Sequence, residues 1–272
     1  MEHRSKNILL FALSVVLLLV VSARISPGEA VSSAAPGKIA EDVLLPPSPT
    51  PPGEDGAAAE EESAASASMK TRVRALFPDA SPGDWNLRLV NNDYILPAVF
   101  APELTEIRAG EFFDSRAADA REEMIAAATE QEFVTTVSIR MAYRSYQTQA
   151  YLFYSQVSLL AESQEIDYVE AEELARAAVA YPGASEHQTG LCIDLLDAGI
   201  TSVTEEEAEE LPLLLWLREH CAEYGFIYRY PKEKQEITGW YEPWHFRYVG
   251  RPAAEYIMEN GLCLEEFIEL LS

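Results

Sequence analysis

The run of apolar and polar positions divides the chain into three stretches. Ile8 to Ala23 is almost wholly apolar (ILLFALSVVLLLVVSA), behind a basic start at Arg4 and Lys6. This predicts an export signal, slightly short of the roughly 17–25 apolar residues of a full membrane span. Val21-Ser22-Ala23 suits a signal peptidase, and Gly28-Glu29-Ala30 is a second candidate. Residues 1–26 therefore read as a cleaved signal or a retained membrane anchor, and export is implied either way. Residues 27–70 are Ala, Pro, Ser, Gly and Glu with few large apolar side chains. Such a segment cannot offset its ordering entropy, so a disordered linker or stalk is expected. About 40 residues of this composition reach on the order of 120 Å if fully extended.

Apolar periodicity begins near Thr71, and residues 71–272 form the expected folded domain. Trp85 to Leu104 is irregular, rich in Pro and Asn. Asp114-Ser115 can cap a helix over about residues 116–131. Phe133 to Arg140 is β-branched and predicts a strand. Helical patterns follow over Tyr146 to about Glu162 and Val169 to Ala180, then a short apolar strand over Leu191 to Leu196. Pro212 suits the first turn of a helix reaching about Tyr224, which Gly225 ends. Phe226 to Tyr230 and Trp244 to Val249 read as strands, and the tail is helical around Gly261. Helices mixed with non-adjacent short strands predict an α+β domain.

A length of 272 residues, 48% of them hydrophobic, leaves room for one catalytic domain with an appendage or for two small domains. A formal net charge of −25 excludes nucleic-acid binding through a basic face. The three cysteines, Cys192, Cys221 and Cys263, are an odd count and not a disulfide framework, although Cys221 and Cys263 can pair in an oxidising compartment.

Four histidines narrow the candidate chemistry. His3 lies in the signal region. His220 lies in a charged stretch with Arg218, Glu219 and Glu223 and reads as a surface residue. His187 stands before Gly190, which can turn the chain into the strand that carries Asp194, so the two side chains can converge on one ion. In the later strand Trp244, Phe246 and Tyr248 share one face and His245 and Arg247 the other. Pro243 argues against a helix there. Two histidines and one carboxylate make a catalytic zinc set with water in the fourth position. A further carboxylate is then needed to move protons, and Glu242 is the candidate. No H-E-x-x-H occurs, which excludes the helical zincin arrangement.

Together these segments resemble the VanY-type D-alanyl-D-alanine carboxypeptidase family. Ser185, His187, Gly190 and Asp194 fit its S-x-H-x-x-G-x-A-x-D pattern, and Glu242, His245 and Arg247 its E-x-x-H-x-R. The stretch from Trp216 through Gly225 to Pro231 is also family-like. So are Tyr143 to Gln149 (YRSYQTQ), Leu89-Val90-Asn91 and Leu96-Pro97. The likeness spans about residues 86–250. It implies a single zinc-peptidase domain with a small antiparallel sheet flanked by helices, of the hedgehog/D-Ala-D-Ala-peptidase type. It implies one Zn2+ on His187, Asp194 and His245, with Glu242 as general base. Arg144, Gln149 and Ser185 would hold the C-terminal end of a peptidoglycan stem peptide, a role suited to the bidentate grip of arginine on carboxylate. The implied activity is removal of the C-terminal D-alanine, outside the cytoplasm, by a membrane-anchored or secreted enzyme. The same site would also serve an L,D-carboxypeptidase or a wall endopeptidase, or persist in a non-catalytic wall-binding module. One position departs from the pattern. Cys192 stands where the family has a small alanine, two residues from Asp194, on the same strand face and roughly 6–7 Å along it. It reads as a small buried residue, although a thiolate there would compete for zinc.

Overall fold

The computed structural model describes residues 55–272. The expected signal or anchor, residues 1–26, and most of the expected linker lie outside this range. Among the described residues no helix is long and apolar enough to cross a membrane.

Helix α1, Asp55–Leu76, opens the described chain and corrects one expectation. Residues 55–70, part of the expected disordered linker, are helical, and the expected boundary at residue 70 falls inside the helix. Alanine and glutamate are strong helix formers, and the helix end is tied down. Val73 is fully buried among Leu87, Ile257 and Phe267, with Met69 packed alongside.

A two-stranded hairpin follows, β1 (Leu104–Arg108) and β2 (Glu111–Asp114), neither of which the apolar pattern predicts. Helix α2 covers Ala118–Thr129, shorter than expected at both ends. Its N-cap residue is Ala117 and no side chain caps it. Asp114, the expected cap, instead accepts from the backbone N–H and the guanidinium of Arg116. Strand β3 is Val137–Met141. Helix α3 (Tyr146–Gln164) starts where the Ser145 hydroxyl accepts from Thr148 N–H, and α4 (Tyr168–Arg176) where Asp167 caps Val169 and Glu170. Strand β4 (Cys192–Asp197) leads to α5 (Glu205–Glu209), opened by a Thr204–Glu207 capping box, and to α6 (Pro212–His220). The chain tightens to a 3-10 turn over Cys221–Tyr224 and stops at Gly225, φ 83°. Strand β5 (Phe226–Tyr230), the short α7 (Gln235–Thr238), strand β6 (Glu242–Tyr248) and helices α8 (Arg251–Glu259) and α9 (Leu264–Leu271) complete the domain.

The main sheet is antiparallel throughout, in the order β3-β4-β6-β5. Strand alternation then divides the labour. Ile193, Leu195, Phe226 and Phe246 enter the core with Phe113, Met124 and Leu214 from the surrounding elements. Cys192, Asp194, His245 and Arg247 alternate with them on the opposite face. This is the α+β domain with a small antiparallel sheet flanked by helices. All three cysteines are free and buried, so the possible Cys221–Cys263 bridge is not formed.

Candidate active site

Three short elements build the site. A 3-10 turn, Glu186–Thr189, carries His187 and ends at Gly190 in the left-handed region, φ 70°. A β-carbon on Gly190 would lie 3.0 Å from the Leu104 side chain and 3.2 Å from Asp114 N, so the turn needs glycine for both its angle and its clearance. Strand β4 brings Asp194, and its register with β6 sets Asp194 opposite His245. The Asp194 carboxylate reaches both imidazoles: Oδ1 is 2.9 Å from His245 Nδ1 and Oδ2 is 3.3 Å from His187 Nε2. The two rings stand nearly perpendicular, 5.0 Å between centroids. Glu242 Oε2 lies 3.5 Å from His245 Nδ1.

The outer nitrogen of each ring decides which nitrogen faces inward. His187 Nδ1 donates to the Ala142 carbonyl at 2.7 Å, which leaves Nε2 free on the Asp194 side. His245 Nε2 faces Glu186 Oε2 at 3.5 Å and so turns Nδ1 inward. This orientation by an outer carbonyl or carboxylate is how metal-binding histidines are held. His187 Nε2, His245 Nδ1 and a carboxylate oxygen of Asp194 therefore fit a divalent cation of the zinc type. The charges agree. Burial alone would push the Asp194 carboxyl up, but the two imidazoles hold it well below the usual carboxylate range. Burial would lower His187, but Cys192 and Asp194 raise it to about 9. A cation entering such a site replaces protons.

Cys192 was expected to be a small buried residue. It is fully buried, but its Sγ belongs to the site, because the ligand atoms of His187, Cys192 and His245 all lie within 4.8 Å of one another. Burial raises the thiol pKa, and the two imidazoles more than reverse that. Strand alternation, which sets Cys192 and Asp194 two residues apart on one face, already implied this proximity.

The residues expected to hold substrate separate into two groups. Arg144 and Ser185 line a cleft of about 180 Å³ together with His187, Asp194, Glu242 and His245. Gln149 does not. It is fully buried, its Oε1 accepts from Arg144 Nη1 at 2.7 Å, and its Nε2 donates to the Ala180 carbonyl at 2.6 Å. Both ends of its amide are thus used in holding the arginine. His220 is outside the site, stacked on Trp216 and paired with Glu223 at 2.7 Å.

Sequence reasoning missed what lies behind the site. Glu186 is wholly buried, with Arg229 Nε 3.0 Å and Arg247 Nη1 3.0 Å from its Oε1. Arg229 is in turn gripped by both oxygens of Glu265, at 2.9 and 2.7 Å. Burial opposes ionisation of Glu186, but the two guanidiniums keep its carboxyl far below the ordinary range. The partners lie 43 and 36 residues apart in sequence, so no local pattern announces them.

The fold and site of this protein are those of a zinc metallopeptidase, a peptide hydrolase, which its relatives share. Solved structures share its build. A point variant of the vancomycin-resistance D,D-pentapeptidase VanY from a VanB-type cassette, in complex with Zn(II), aligns with a TM-score of 0.58 at 36% identity, over 68% of this chain and 99% of that one. VanYB in complex with D-alanine-D-alanine aligns with a TM-score of 0.59 at 35% identity, over 70% of this chain and all of that one. A D-alanyl-D-alanine carboxypeptidase of Enterococcus faecalis is 38% identical over 188 residues, 68% of this chain and 66% of that enzyme, so the chain spans just under two thirds of this relative. Residues 110–251 match the VanY family of D-alanyl-D-alanine carboxypeptidases, and the chain belongs to that family.

Proposed function

We propose that the protein removes the C-terminal D-alanine from peptidoglycan stem peptides, with one zinc ion held by His187, Asp194 and His245. The observation that carries this reading is Asp194 in contact with both imidazoles while Glu242 and Arg144 face the same cleft. Bound zinc supplies a water of near-neutral pKa and polarises the scissile carbonyl. Glu242 takes the proton of the attacking water and passes it to the leaving amine. Burial raises its pKa above the usual carboxylate value, towards the range in which a group both accepts and returns a proton. Arg144, held by Gln149, pairs with the terminal carboxylate, and Ser185 lines the cleft beside it. A carboxypeptidase is thereby separated from an endopeptidase, whose substrate brings no free carboxylate to that arginine.

The basic start and apolar run of residues 4–23 support export, with the segment either cleaved or retained as a membrane anchor. A wall substrate outside the membrane accords with that.

The test is mass spectrometry of the purified zinc-loaded protein with a stem pentapeptide ending in D-Ala-D-Ala and with the corresponding tetrapeptide. Loss of one alanine from the pentapeptide alone is expected. Loss from the tetrapeptide would replace the reading with an L,D-activity, and loss from neither would overturn it.

A further inference from the structure

Arg140 lies on β3 next to Met141, the residue that pairs with Asp194, and four residues before Arg144. Both arginines line the cleft, but their situations differ. The Arg144 guanidinium is engaged by Gln149 through Nη1, and its Nε is left without a partner. Arg140 Nε and Nη2 are both buried, and neither has a hydrogen-bond partner. Among the described residues no ion pair includes Arg140. The charge that bears on it is a second cation, Arg108. The cleft wall includes the apolar side chains of Met141, Leu196, Val203 and Trp244 as well as the site residues. Scarcity of acids is not the reason, since the chain has 45 acidic residues against 20 Lys and Arg. A guanidinium left with buried, unmatched donors inside a cleft is poised for an anion brought from outside.

Arg140, at the bulge of β3, precedes Met141, the register partner of Asp194, and Arg144 follows it three residues beyond, past the end of the strand. A peptide with its terminal carboxylate on Arg144 and its scissile bond at Asp194, Glu242 and His245 extends its upstream part towards Arg140. We infer that Arg140 is a specificity-determining residue that binds a second carboxylate of the substrate, upstream of the scissile bond. This rests on the peptidase reading above and adds a substrate requirement to it. Stem peptides offer two such groups: the free α-carboxylate of a γ-linked glutamate, and the side-chain carboxylate of a diamino-dicarboxylic residue.

The experiment compares kcat/KM for pentapeptides ending in D-Ala-D-Ala that are identical except for amidation of one or the other upstream carboxylate. Binding of the same peptides to the zinc-loaded Glu242→Gln variant by calorimetry gives a second readout. The wild type should prefer the free acid by roughly 10- to 100-fold on one of the two arms, as expected for a charge-assisted hydrogen-bonded pair. Arg140→Gln should bring that ratio close to one, and Arg140→Lys should keep part of it. Equal use of acid and amide on both arms would overturn the inference, as would an undiminished preference in folded Arg140→Gln. Should Arg140→Gln fail to fold, the wild-type ratios and Arg140→Lys decide it. If the wild type cleaves no peptide, the carboxypeptidase reading fails separately, and the calorimetric ratio alone decides the role of Arg140.

Discussion

Asp194 and His245 are direct partners across β4 and β6, and their side chains meet at 2.9 Å. Sheet register alone therefore brings a carboxylate from one strand against an imidazole from another. Glu242 begins the same strand as His245 and lies 3.5 Å from the ring nitrogen that faces Asp194. Replacing it leaves the three candidate metal ligands in place. Glu242→Gln should retain one zinc per chain by metal analysis and lose about 10²–10⁴ in kcat, the span of a removed general base. Loss of zinc in that variant would show that Glu242 acts as a ligand instead.

Glu186 faces the outer nitrogen of His245 while two buried guanidiniums hold it. Its removal should loosen the imidazole without removing a ligand. Glu186→Gln is expected to weaken zinc binding by roughly 10- to 100-fold, as is usual when the outer partner of a metal-binding histidine is lost. Competition with a coloured chelator measures it, with circular dichroism as the check on fold. Unchanged affinity would make the Glu186–Arg229–Glu265 network purely structural.

The difference between these two carboxylates shows what the chain discloses by itself. Glu242, His245, His187 and Asp194 lie in two short segments, where a proline, a glycine turn and strand alternation limit the directions side chains can take. The arrangement inside each segment is readable because it depends on geometry within about ten residues, whereas the meeting of the two segments, 51 residues apart at Asp194 and His245, was implied only by the family resemblance. Glu186 adjoins His187, yet its setting is made by Arg229, Glu265 and Arg247. Those contacts depend on how β5, β6 and α9 pack, and apolar periodicity carries no information on that. The hairpin Leu104–Asp114 was hidden because its strands are short and charged. The helical start of the domain was hidden because an Ala- and Glu-rich composition suits both a free linker and a helix, and burial of Val73 settles which forms.

Gln149 offers a test of positioning as against direct contact. Its amide holds Arg144 on one side and the Ala180 carbonyl on the other, both of them residues of the cleft wall that Gln149 itself does not line. Gln149→Leu keeps similar bulk but frees the guanidinium. Ground-state recognition of the terminal carboxylate should suffer, raising KM by about tenfold with a smaller change in kcat. Gln149→Glu should not restore KM, because its carboxylate sets an oxygen against the Ala180 carbonyl and pairs with Arg144 in competition with the substrate. Steady-state kinetics on the pentapeptide separates these outcomes, and an unchanged KM in Gln149→Leu would remove Gln149 from substrate recognition.

Cys192 supplies the last prediction, because its thiol shares the space of the two imidazoles. Two histidines, an aspartate and a cysteine would make four protein ligands, the closed arrangement of structural zinc sites. Catalysis needs one position left for water. The proposed activity therefore requires Cys192 to line the site without binding the metal. Cobalt replacing zinc should then show no thiolate-to-metal charge-transfer absorption. Cys192→Ala, which restores the residue of the family pattern, should keep its metal and its turnover within about threefold, since removing one small buried side chain leaves only a modest cavity. A thiolate band in the wild-type cobalt protein, lost in Cys192→Ala along with a marked rise in turnover, would instead identify Cys192 as a ligand that holds the enzyme back.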